Sequence, residues 1–121
     1  MIKQVLSDDI IKQYLPILTA CPLFNTLGIP ELTSYLHNAK VIIKNYKKND
    51  FIAISGDPME GIGVILEGSA ILTRENVLGQ RVIMANLEAS SIFGEALLFS
   101  KHPLWPATIK ALKPTKIMFI P

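Results

Sequence analysis

The residue types best placed to do chemistry lie between Ile92 and Ile109, in the run IFGEALLFSKHPLWPATI. It reads as a short strand, a glycine turn, one short helix, a proline-bearing loop and a second strand. Gly94 has no Cβ, so the backbone can turn tightly there and come close to a ligand. Glu95 opens the segment Glu95-Ala96-Leu97-Leu98-Phe99. In a first helical turn the unpaired N–H groups can hold an anion, and a carboxylate beside them can accept hydrogen bonds from a sugar hydroxyl. This arrangement predicts a pocket for a small phosphorylated ligand.

Catalytic chemistry finds little support. His37 and His102 are far apart, with no His-x-His or Glu-x-x-His spacing for a metal. No spacing of Ser, His and Asp nominates a triad, so the reading is of a non-enzyme with no catalytic residue, no metal site and no cofactor. A cupin-like enzyme would share a double-sheet architecture but needs a histidine pair on a strand, which is missing. Cys21 is the sole cysteine; it cannot form an internal disulfide and is expected to be a buried, inert thiol among Ala20, Pro22, Leu23 and Phe24.

Composition narrows the field further. Half of the 121 residues are hydrophobic and 18% are charged, which excludes a disordered chain and fits one domain with one core. The net charge of +2 is too small to support nucleic-acid binding by this surface. The groups Lys44, Lys47, Lys48 and Lys110, Lys113, Lys116 are expected to be solvated surface lysines. Apolar runs are too short for a membrane span and Met1–Asp9 has no signal-peptide core, so a cytoplasmic location is expected.

The elements that must position the Ile92–Ile109 run divide into two parts. Residues 1–38 read as a helical segment: Ser7 as N-cap with Asp8 and Asp9 behind it, then Ile10, Ile11, Tyr14, Leu15 and Leu18 on one face. Pro16 is expected to kink or end this helix. A second helix should start near Pro30 and bury Leu32, Tyr35, Leu36 and Ala39. Residues 39–121 read as β, with strands over 40–46, 51–54, 63–67, 70–74, 80–87, 107–112 and 115–120, and a short one opening the Ile92 run, separated by turn residues. About eight short strands at regular spacing predict a mainly β fold, a double-sheet jelly roll with short N-terminal helices and one short helix inserted at Glu95–Phe99.

Ile54-Ser-Gly56-Asp57, Ile65-Leu-Glu-Gly68-Ser69, Gly79-Gln-Arg-Val82 and above all Phe93-Gly-Glu95-Ala-Leu-Leu-Phe99 resemble the cyclic-nucleotide-binding domain of Crp/Fnr-type transcription regulators. The resemblance extends over about Leu18 to Ile120. It implies a β-roll in which a glutamate binds the ribose 2′-hydroxyl and a later Arg-Ser/Thr-Ala binds the cyclic phosphate. Gly94 and Glu95 match the first half, with Ala96 and Leu97 in the turn that follows. In the second half Trp105 falls on the arginine position, Pro106 on the hydroxyl residue, and Ala107 fits. Ser90 and Ser91 stand where a Gly-Asp pair is usual in the family.

The departure has a large energetic consequence. A charge-assisted hydrogen bond contributes about 1.5–3 kcal/mol, and a desolvated phosphate without a partner costs several kcal/mol more. Cyclic AMP is therefore expected to bind weakly or not at all unless Arg74, Arg81 or Lys101 substitutes. Trp105 either plugs a vestigial pocket or lines a site for a more apolar or aromatic effector. The resemblance further implies a homodimer in the full-length protein and DNA contact only through a C-terminal helix-turn-helix domain not in this chain. The expectation is thus a sensor domain for an unidentified small molecule; a ligand-free interaction or oligomerisation module is the alternative.

Overall fold

The computed structural model describes residues 8–22, 24, 26–38, 41–59, 61–94 and 104–120. Two helices, α1 (Asp8–Ala20) and α2 (Ile29–Asn38), precede β1 (Ile42–Tyr46), β2 (Phe51–Ala53), β3 (Ile62–Glu67), β4 (Ser69–Glu75), β5 (Arg81–Glu88), β6 (Ile92–Phe93), β7 (Thr108–Ala111) and β8 (Thr115–Ile120). The strands form two four-stranded antiparallel sheets, ordered β1-β8-β3-β6 and β2-β7-β4-β5. This is the expected mainly β double-sheet roll. The helix expected over Glu95–Phe99 lies outside the described residues, as do Ser7 and Ala39.

Strand periodicity explains why one sheet can serve two cores. On β3, Val64 and Leu66 join Ile11, Tyr14, Leu18, Leu32 and Leu36 of the helices, together with Met118 and Ile120 of β8. The alternate residues Ile65, Ile117 and Phe119 face the opposite sheet and meet Ile52, Ala70, Ile109 and Ala111. Successive side chains point to opposite faces of a strand, so a strand covered on both faces reads as a continuous apolar run. That accounts for the near-uniform burial of Ile62–Leu66.

Two details depart from expectation. Helix α1 continues through Pro16 instead of ending there. The proline ring deprives the Lys12 carbonyl of its intrahelical donor, but Lys12 and Pro16 are both exposed, so water can satisfy that group. Tyr35 is exposed, although its ring meets Phe24 at 6.1 Å.

A polar link pins α1 to the roll. The Tyr14 hydroxyl donates to Glu67 Oε1 at 3.1 Å and accepts from Lys116 Nζ at 3.0 Å. The hydrogen bond to Tyr14, with the nearby Glu67 carboxylate, holds the Lys116 ammonium above its ordinary pKa against the opposing effect of burial.

Candidate functional site

Strand β6 delivers Phe93 into the interior and ends at Gly94, whose φ is +90°. A Cβ at Gly94 would stand 2.8 Å from Met59 Cε and 3.2 Å from Trp105 Cζ3. Both the left-handed backbone and the lack of space require glycine here. Further along, Leu104 bridges Pro58. The Trp105 N–H donates to the Asp57 carbonyl at 2.9 Å, and the Gly56 N–H donates to the Trp105 carbonyl at 2.8 Å. These bonds clamp the Trp105 backbone to the 56–58 turn and leave its side chain only 7% exposed.

Trp105 belongs to an aromatic cluster that sequence spacing does not reveal. Its ring lies 5.7 Å from Phe93 at a 43° tilt, and Phe93 meets Phe119 edge-on at 6.0 Å. Each such pair contributes about 0.5–1.5 kcal/mol beyond the area it buries.

Beside this cluster is a cavity of about 240 Å³. Leu72 of β4 and Ala85 and Leu87 of β5 form one wall, and Ile92, Phe93 and Gly94 another. Trp105, Pro106, Ala107 and Ile109 complete the described lining. No charged or hydroxyl-bearing side chain is among these residues. The indole also borders a second cavity of about 200 Å³, which includes Lys44, Asp57 and Phe119. Trp105 thus borders both cavities.

Four sequence-nominated residues thus converge: Gly94, Trp105, Pro106 and Ala107 line one cavity. Glu95, Ala96, Leu97, Lys101 and His102 lie outside the described residues. Arg74 and Arg81, the possible substitutes for a phosphate-binding arginine, border a different cavity of about 570 Å³ with Thr73, Pro106 and Thr108. Leu72, Ala85 and Leu87 were not nominated; the only trace of them in the sequence is the alternation of apolar residues along β4 and β5. His37 lies on α2, and among the described residues no three His, Cys, Asp or Glu side chains could hold a metal. Cys21 is buried, as expected. No described helix is long and apolar enough to cross a membrane.

The described residues thus form a two-sheet roll with helices packed on one sheet and a glycine-bordered cavity beside its shortest strand. Residues 43–121 match the cyclic nucleotide-binding domain family, and the chain belongs to that family. The sequence-based resemblance, drawn from Leu18 onward, reaches the same family.

Among solved structures, the sensor domain of the transcriptional regulator DNR from Pseudomonas aeruginosa is 21% identical with a TM-score of 0.76, over 93% of this chain and 73% of that one. The N-terminal domain of a transcriptional regulator from Streptomyces coelicolor A3(2) is 27% identical with a TM-score of 0.73, over 84% and 69%. A mutant regulatory subunit of a cAMP-independent protein kinase A from Trypanosoma brucei, bound to cAMP in its A site, is 19% identical with a TM-score of 0.76, over 90% and 39%. The chain spans about half the length of two further solved chains it matches, 48% and 49%. A search of curated protein sequences returns no significant match.

Proposed function

We propose that this chain is the effector-sensing domain of a transcription regulator of the cyclic nucleotide-binding family, with a phosphate-binding cassette that no longer suits cyclic AMP. The observation that carries this reading is the apolar cavity beside Trp105 and Pro106, whose described lining offers no cation to a phosphate. That Arg74 and Arg81 are found on the lining of another cavity, not of this one, supports the reading. The likeness to the DNR sensor domain and to the Streptomyces regulator supports the regulatory context.

In this reading residues 1–38 and 39–121 form one cytoplasmic domain without catalytic activity. An effector in the roll shifts the balance between two states of a homodimer, and DNA is contacted through a domain outside these residues. Glu95 retains the capacity to bind a ribose hydroxyl, while Trp105-Pro106 withdraw the phosphate clamp.

Calorimetric titration tests the reading. Cyclic AMP should not bind the chain at micromolar concentration, and Trp105→Arg with Pro106→Ser should bind it more tightly. Micromolar binding of cyclic AMP by the unaltered chain would overturn the proposal.

One feature favours the interaction-module alternative. The β4–β5 hairpin presents Val77 and Leu78 at 102% and 78% exposure, with Ile83 and Met84 also exposed. Sedimentation that shows self-association abolished by Leu78→Lys would support that second reading.

A further inference from the structure

We infer that the effector of this domain is a small, uncharged, mainly apolar molecule about the size of one substituted aromatic ring. The inference rests on the reading above that the 240 Å³ cavity is the effector site, and it concerns what that site can accept.

The chemistry of the walls carries the argument. Leu72 and Ala85 are cross-strand partners of the β4–β5 pair, so their side chains form one continuous apolar surface. Ile109 and Ala107, 1% and 3% exposed, close the side toward β7, and the Phe93 and Trp105 rings close the side toward β6. An ion entering this space would shed water without gaining a described partner, whereas an apolar ring would exchange water for dispersion contacts and ring edges. Size is the second constraint. A cavity of roughly 150 Å³ lined by aliphatic and aromatic side chains holds benzene; at about 240 Å³ this one has room for a ring and its substituents.

The small residue at position 85 keeps part of that room available. Ala85 leaves open the space that a larger side chain would occupy opposite Leu72. Ala85→Leu therefore fills the cavity from within, and because leucine is apolar it need not disturb the surrounding core.

The experiment uses the single tryptophan as reporter. Toluene, benzyl alcohol, benzoate, inorganic phosphate and cyclic AMP are titrated separately, with Trp105 emission and heat of binding recorded. Toluene and benzyl alcohol should shift the emission and bind at least ~10-fold more tightly than benzoate, whose carboxylate would be desolvated. Ala85→Leu should abolish that binding. Should Ala85→Leu fail to fold, NMR of the unaltered chain under xenon pressure gives the same answer, with shifts expected at the methyl groups of Leu72, Ala85 and Ile109. Failure of both neutral probes to bind, binding of benzoate or phosphate as tightly as the neutral probes, or neutral binding that survives Ala85→Leu would each overturn the inference. Micromolar cyclic AMP binding would instead overturn the functional reading beneath it, so the two failures are distinguishable.

Discussion

Gly63 of β3 sits directly opposite Phe93 of β6, and the Phe93 ring lies over it. A Cβ built at Gly63 would stand 2.5 Å from Phe93 Cε1 and closer still to Cζ and Cε2. An aromatic ring folded over a cross-strand glycine covers backbone that would otherwise be left without a packing partner. Gly63→Ala must therefore displace the ring. Phe93 is 4% exposed and in ring contact with both Trp105 and Phe119, so it has nowhere to go without breaking those contacts.

The magnitude follows from opposing effects. Overpacking a filled interior costs about 1–3 kcal/mol. Restricting the unfolded chain by replacing glycine returns about 0.4–1 kcal/mol. Weakening two aromatic contacts adds to the cost, each contributing about 0.5–1.5 kcal/mol. The net is a loss of about 1–3 kcal/mol, which for a chain of 121 residues lowers Tm by roughly 4–12 °C. Thermal unfolding followed by Trp105 emission measures the loss, and the folded-state emission should itself shift because the indole loses its neighbour. A double-mutant cycle sharpens the test: Gly63→Ala with Phe93→Leu should destabilise by less than the sum of the two single changes. An unchanged or raised Tm in Gly63→Ala, or strict additivity in the cycle, would refute the reasoning.

Three further outcomes are expected. Tyr14→Phe removes the hydroxyl shared by Glu67 and Lys116 and should cost about 1–3 kcal/mol, seen as a lower urea midpoint at unchanged slope. Lys116 has its folded pKa raised above 10.5, so its contribution is fully present below that value and lost as pH rises through the folded pKa. The stability difference between the unaltered chain and Lys116→Met should accordingly be constant at neutral pH and shrink only above about pH 10.5; a difference that vanished between pH 5 and 8 would contradict the assignment. Ser90 holds φ at +75°, a conformation that costs a residue with a Cβ about 1–2 kcal/mol. Ser90→Gly should raise Tm by a few degrees, since the added freedom of the unfolded chain offsets only part of that gain.

Ser90 also shows how far the sequence could be read. The pair Ser90-Ser91 stands where a Gly-Asp pair is usual in the family, a departure that on sequence alone reads as drift in the loop. The turn is instead kept under strain: Ser90 N–H donates to the Ile65 carbonyl at 2.8 Å, and Ser91 Oγ accepts from the Glu88 N–H at 3.0 Å. Local hydrogen bonds hold a conformation that the residue type disfavours. The number of strands and their approximate positions along the chain are legible because alternation and turn residues are local signals. The Tyr14–Lys116 contact, 102 residues apart in sequence, has no such signal. Neither does the packing of Phe93 over Gly63, where a glycine inside a strand reads first as a weak point.

The same distinction applies at the cavity. Sequence spacing could locate Trp105 where a phosphate-binding arginine is usual, yet it left two readings, a plug or a wall. The structure adds two backbone bonds, to Gly56 and Asp57, that hold the Trp105 main chain against the 56–58 turn. Trp105 borders two cavities, one with Phe93 and the other with Lys44 and Asp57 among the lining. A ligand that displaced the Trp105 main chain together with its ring would strain both of those hydrogen bonds.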